Sequence, residues 1–282
     1  LNKLIVIDMY TFSSKLKTFS FILMAVGILG IGYGFLNAPK DIHEVENILS
    51  AESHGGHGEA HHEEANSTEE DHATAGHHAE TADAKAAVEH EEHLTHVLHQ
   101  LQNKPWSALY VACIFFMLLT MGTLVFYAIQ QVALAGWSPV LFRVMQGITA
   151  YLPVGSAIFF VILILCGLHF NHVFTWLAEG VTDPSSANFD KMIAGKAGYL
   201  NFGFWIVRAA IFLIGWNLYR HFSRKNCLAQ DEATDNAFYK KNFNISAGFL
   251  VFFIVSESIM SWDWIMSIDP HWFSTLFGWY VF

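Results

Sequence analysis

The sequence predicts an all-α polytopic membrane protein, a helix bundle with five complete spans and a truncated sixth, plus a disordered His/Glu-rich exported loop. Three observations carry this. Of the 282 residues, 53% are hydrophobic and only 14% are charged. The apolar residues fall in runs of about 20, the length that crosses a hydrocarbon core roughly 30 Å thick. One acidic stretch of different composition interrupts them, and it holds twelve of the sixteen histidines.

The candidate spans are residues 18–36, 109–129, 148–170, 199–219 and 245–262, and a sixth begins near Trp272 and is cut at Phe282. The chain divides accordingly into a cytoplasmic N-terminus with the first transmembrane helix (1–36), an exported acidic His-rich loop with an amphipathic helix at its end (37–105), and a C-terminally incomplete transmembrane bundle (106–282). Lys3, Lys15 and Lys17 precede the first span, which by the positive-inside rule places the N-terminus in the cytoplasm. Alternation then gives cytoplasmic segments nine Lys and Arg residues against five in the longer exported segments.

The first span is uncharged, and Gly30 and Gly34 have the small-xxx-small spacing that lets helices approach closely. Residues 37–105 carry fifteen acidic residues against three lysines. The low-complexity part of this stretch cannot bury a core, and disorder is expected there. From 84 to 102 helical propensity returns, with Val88, Leu94, Val97, Leu98 and Leu101 forming an apolar side for an interface or a partner. Imidazoles bind zinc, copper and nickel, so the histidines read either as a solvated, loosely chelating linker or as a metal-capture loop. A flexible run supplies neither the geometry nor the supporting partners of a defined site, and none is expected.

In the second span Thr120, Thr123, Tyr127 and Gln130 share one helix face, which reads as ordinary packing or as a proton half-path. The third span has Pro153 near its start, where a kink is expected. It ends at His169 and His172, one face at i, i+3, near the exported surface. The fourth carries Arg208, with Asn201, Trp205 and Phe212 on the same face. A rise of 1.5 Å per residue puts Arg208 roughly 13 Å from the outer end, and Glu257, on the antiparallel fifth span, roughly 10 Å. Each charge alone is costly in lipid. An Arg208–Glu257 ion pair is therefore expected, with Ser246, Leu250, Phe253 and Ser261 along the stripe of Glu257. Asp263 points about 120° away at a helical period of 3.6 and is expected to meet the loop. Asp269 is placed to cap the next helix. His271 and Trp272 are placed at the interface, and Trp262, Trp264 and Trp272 read as an interfacial aromatic belt in preference to quinone-stacking residues.

The isolated Cys113, Cys166 and Cys227 offer no haem c attachment motif and no iron–sulfur spacing. Redox centres, if any, are expected in other subunits.

The segment SWDWIMSIDPHWFSTLFGWY, together with MYTFSSKLKTFSFILMAVGILGIGYGFLNAPKDI near the start, resembles the ActF subunits of bacterial alternative complex III. This is a quinol:cytochrome c or electron-carrier oxidoreductase whose membrane subunits are similar to the NrfD and polysulfide-reductase anchors. The resemblance implies an inner-membrane subunit of a respiratory electron-transport complex, not catalytic alone, that scaffolds quinol oxidation and contributes a proton half-path. It implies an ActC-like membrane subunit, an iron–sulfur subunit and haem c subunits as partners, with a terminal oxidase as a further one. Quinol is implied as a ligand of the complex. Haem c and iron–sulfur clusters are implied in the partners, with no cofactor held covalently by this chain, no metal site and no nucleic-acid partner. No catalytic residue is carried over. The proton-path or quinone-pocket candidates are Glu257, Arg208, Asp263, His169, Asp269, His271, Thr120, Thr123 and Tyr127. Two other functions fit the residues, a divalent-metal transporter fed by the His-rich loop and a purely structural membrane scaffold.

Overall fold

A computed structural model describes residues 13–55, 79–186 and 188–281. The chain forms two compact units, Leu1–Pro105 and Trp106–Phe282. Every regular element among the described residues is helical. Among the described residues, five stretches are long and apolar enough to cross a membrane: Ser14–Leu36, His93–Val132, Ser138–Gly167, Phe202–Glu232 and Ala237–Ile268.

In the first unit, α1 (Ser14–Leu36) is capped by Ser13, whose side chain accepts from the Leu16 amide. Most of its apolar side chains are exposed, and none is buried. Helix α2 (Ile42–Gly55) follows, with the Glu44 carboxylate accepting from the Lys40 amide at 2.8 Å. The low-complexity stretch expected to be disordered lies mostly outside the described residues. The amphipathic helix expected at 84–102 is instead part of α3 (Ala79–Val132), a single 54-residue helix with Pro105 inside it. A proline removes one ladder hydrogen bond, and the helix continues through it.

The second unit contains the rest of α3, then α4 (Phe142–Ile148), α5 (Leu152–Gly167), α6 (Lys191–Lys196), α7 (Phe202–Glu232), α8 (Ala237–Met260) and the short α9 (Phe277–Val281). Short 3₁₀ turns, Ser138–Leu141 and Thr149–Tyr151, flank α4. Pro153 sits in the first turn of α5, where its missing N–H costs nothing. The core is aromatic. Trp205, Trp216, Trp264, Tyr110 and Phe159 are fully buried, and Tyr219 stacks on Phe249 with ring centroids 3.9 Å apart. Helices α7 and α8 approach closely at Gly215, where an added Cβ would lie 2.5 Å from the Phe252 ring.

Two helix ends use residues other than glycine in the left-handed region, Leu134 with φ 51° and His169 with φ 60°. At each, a pair of reversed hydrogen bonds closes the helix. Leu134 N–H donates to Gln131 O and Ala135 N–H to Gln130 O, while His169 N–H donates to Cys166 O and Phe170 N–H to Leu165 O. This is the Schellman geometry, in which glycine is the usual occupant. The third span therefore ends before His169, and the helical i, i+3 relation expected between His169 and His172 does not exist.

After Met260 the backbone widens into a single π turn, Ser261–Ile265, followed by a 3₁₀ turn, Met266–Ile268. The wide turn takes in an extra residue and re-aims the side chains that follow it. Trp264, expected in an interfacial belt, is buried between Phe159 and Trp216, at ring-centroid distances of 4.8 and 5.8 Å. Trp262 and Trp272 remain exposed.

Candidate functional site

Two groups of buried polar residues stand at opposite ends of the α7–α8 seam. The first is built on the π turn. Arg208 Nε donates to Asp263 Oδ2 at 2.6 Å and Nη2 to Asp263 Oδ1 at 2.9 Å, a fork-on-fork pair. Arg208 is 7% exposed and Asp263 is fully buried. Nη1 and Nη2 also donate to the Tyr199 carbonyl, at 3.3 and 3.4 Å. The guanidinium carbon lies 4.1 Å from the Tyr199 ring centre and 4.2 Å from that of Phe204, so the charge meets the electron density of two aromatic rings.

The carbonyls freed where the helix ends also find partners. Trp205 Nε1 and Ser267 Oγ donate to Asp263 O at 2.9 and 2.6 Å, and Tyr110 OH donates to Trp264 O at 2.6 Å. Helices α3 and α7 and the following 3₁₀ turn thus grip the π turn. The expected Arg208–Glu257 pair is not formed, because the π turn swings Asp263 onto the face where Arg208 waits. Asp263 accordingly leaves the loop to which an uninterrupted helix would have assigned it.

Glu257 nevertheless lies inward, 4% exposed, on the stripe with Ser246, Phe253 and Ser261, which are also buried. Its Oε1 is buried and has no hydrogen-bond partner. The neighbouring Ser256 accepts from Trp216 Nε1 at 2.9 Å, about two turns along α7 from Arg208. One turn further, Tyr219 OH and Ser246 Oγ are 2.8 Å apart.

The second group closes the other end, roughly 22 Å from Arg208 along α7 to Ser223. The Tyr127 hydroxyl is met by Gln131 Nε2 at 3.1 Å, Gln146 Nε2 at 3.4 Å, Ser223 Oγ at 3.1 Å and Asn242 Nδ2 at 2.9 Å. A phenol oxygen has two lone pairs and one hydrogen, so at most three of these four contacts are full hydrogen bonds at once, and the third of them is the phenol donating. Gln131 Oε1 and Asn242 Oδ1 have no partner, and turning either amide about its last bond presents that oxygen to the phenol. Arg143 Nη1 donates to Gln146 Oε1 at 3.0 Å and forms an ion pair with Asp231.

The other sequence candidates scatter. Thr120 and Thr123 turn back onto carbonyls of their own helix, Met117 and Phe116 for one and Leu119 for the other, and neither reaches Tyr127. His169 is an exposed helix cap. Asp269 caps no helix; its Oδ1 accepts from the His271 amide at 3.0 Å, and α9 starts only at Phe277. His271 Nε2 lies 2.7 Å from Asp190 Oδ2, an ion pair when the imidazole is protonated. Asp190 Oδ1 caps α6 through the Met192 and Ile193 amides at 2.8 and 3.1 Å. The Ile193 amide is the largest influence holding the Asp190 carboxyl below its ordinary range.

Sequence reasoning missed Gln131, Gln146, Ser223 and Asn242, because it placed all four outside the spans and chose Gln130 as the continuation of the Tyr127 stripe. The i, i+4 relation of Tyr127 and Gln131 is the signal that would have found one of them. Among the described residues no three His, Cys, Asp or Glu side chains converge as a metal site would require. The chain matches no known family when compared with family models, and no curated protein is significantly similar to it.

Proposed function

We propose that this chain is a non-haem integral membrane subunit of a quinol-oxidising respiratory complex of the alternative complex III type, acting as scaffold and as part of a proton path. The observation that carries the reading is the ladder of buried polar groups along the α7–α8 seam. It runs from the Tyr127 cluster through Tyr219–Ser246 and Trp216–Ser256 to Glu257 and the Arg208–Asp263 pair. Polar groups inside apolar spans are costly and are kept where they pair helices or move charge. Glu257 is the rung whose bare buried oxygen belongs to a carboxyl, and a carboxyl can accept or donate according to its protonation.

The resemblance of residues 261–280 and 9–42 to ActF subunits supports the same reading. With it come the bacterial inner membrane, a cytoplasmic N-terminus, a periplasmic His-rich loop, and ActC-like, iron–sulfur and haem c partners. Quinol oxidation releases two protons for each two electrons, and the ladder supplies groups that could carry them to water.

The experiment is Glu257→Gln in the assembled complex, with quinol-oxidase turnover and proton release measured together. General acid–base groups contribute about 10²–10⁴-fold, so a loss of at least tenfold in proton-coupled turnover with intact assembly is the expected result. Unchanged turnover and proton release would remove Glu257 from the path.

A purely structural scaffold is the second reading, favoured by the rungs that already satisfy one another, such as Tyr219 with Ser246. Under it, Glu257→Gln leaves proton release unchanged and alters only stability.

A further inference from the structure

A cavity of about 720 Å³ opens between α6 with the turn that follows it and the segment that leaves the π turn. Its walls include Met192, Tyr199, Trp262, Met266 and Phe273, and its one charged lining residue is Lys196. The size is that of a pocket for one small amphiphile, and the lining is almost wholly apolar.

The position of the cavity narrows what fills it. Tyr199 and Leu200 immediately precede the span that begins at Phe202, and Trp262, Met266 and Ser267 close the span that ends at Ile268. The cavity therefore sits where hydrocarbon gives way to headgroups, and its exposed Trp262 and Trp272 are residues enriched at that level. Lys196 Nζ donates to Pro270 O at 2.5 Å. An ammonium has three donors, so two remain for a ligand. No carboxylate among the described residues forms a salt bridge with Lys196. The nearby acids are engaged elsewhere, Asp190 with His271 and the α6 cap, Asp269 with the His271 amide.

We propose that this cavity holds part of an anionic phospholipid, one acyl chain against Met266, Trp262 and Phe273 and the phosphate on Lys196, with the second chain left in the bilayer. An apolar chamber open at headgroup depth suits an acyl chain, and a lone cation with spare donors suits a phosphodiester. The proposal does not depend on the quinol-oxidase reading.

The test is native mass spectrometry of the detergent-solubilised full chain, titrated separately with phosphatidylglycerol and phosphatidylcholine of identical acyl chains. One lysine near a membrane surface favours an acidic lipid by about fivefold. The expected result is that preference for phosphatidylglycerol, abolished by Lys196→Gln, kept by Lys196→Arg and unaffected by Lys191→Gln. Met266→Trp, which fills the chamber, should weaken retention of both lipids.

Equal retention of the two lipids, or a preference that survives Lys196→Gln, would overturn the proposal. So would retention indifferent to Met266→Trp, which would place the lipid elsewhere or show the chamber closed by protein. Should Lys196→Gln fail to fold, the comparison of lipids on the unaltered chain and the Met266→Trp variant still decide the matter.

Discussion

Arg208 and Asp263 leave water together, and the cost of losing either is set by what the survivor then faces. Without Asp263 the guanidinium keeps only the Tyr199 carbonyl and two aromatic faces. Breaking a buried pair from one side costs about 3–5 kcal/mol. Asp263→Ala should therefore lower stability by that order, read as a fall in the unfolding midpoint of the protein in detergent. Arg208→Lys should also be damaging, since an ammonium cannot supply the parallel Nε and Nη2 bonds. Glu257→Gln should change stability far less, because no ion pair or hydrogen bond is lost at Oε1. Charge burial was legible at both Arg208 and Glu257 from their places inside apolar runs. The partner of Arg208 was not, because a regular 3.6-residue period turns Asp263 away and nothing in SWDWI announces a wider turn.

At the scale of elements, the two left-handed helix caps show how an end can be closed by an unfavoured residue. Leu134 is exposed, so its side chain contributes little packing, yet its backbone adopts a conformation that costs an L-residue about 1–2 kcal/mol. Leu134→Gly should raise stability by about 1 kcal/mol, offset in part by the greater freedom of glycine in the unfolded chain. A shift in thermal midpoint of the purified variant measures it, and a fall would mean that the Leu134 side chain packs on a neighbour. Helix interiors were readable from apolar runs, while ends were not. Residues 199–219 were expected as a span, and the helix that forms there, α7, continues to Glu232. Its polar extension places Ser223 beside Tyr127 and Asp231 beside Arg143. The Tyr127 cluster stayed hidden for that reason, since all four of these partners lie beyond the span ends that composition assigns.

Across the second unit, polarity is sorted by position as well as by depth. The seam between α7 and α8 collects hydroxyls, amides and the Glu257 carboxyl, while the outward faces of the same helices carry Val207, Ile211, Ile214, Leu218, Val251, Ile254 and Val255. This segregation is what a helix pair surrounded by acyl chains requires, because no water is present to satisfy a polar group that faces outward. Helix α7 has 31 residues and is roughly 46 Å long, against a hydrocarbon thickness of roughly 30 Å. With Phe202 at one boundary, its last three turns overhang the other. Cys227 lies on that overhang and is partly accessible, while Cys113 and Cys166 are enclosed. The protein thus carries its own reporter of sidedness. A membrane-impermeant maleimide should reach this one thiol from a single face of a sealed vesicle, and the orientation proposed above requires that face to be the cytoplasmic one.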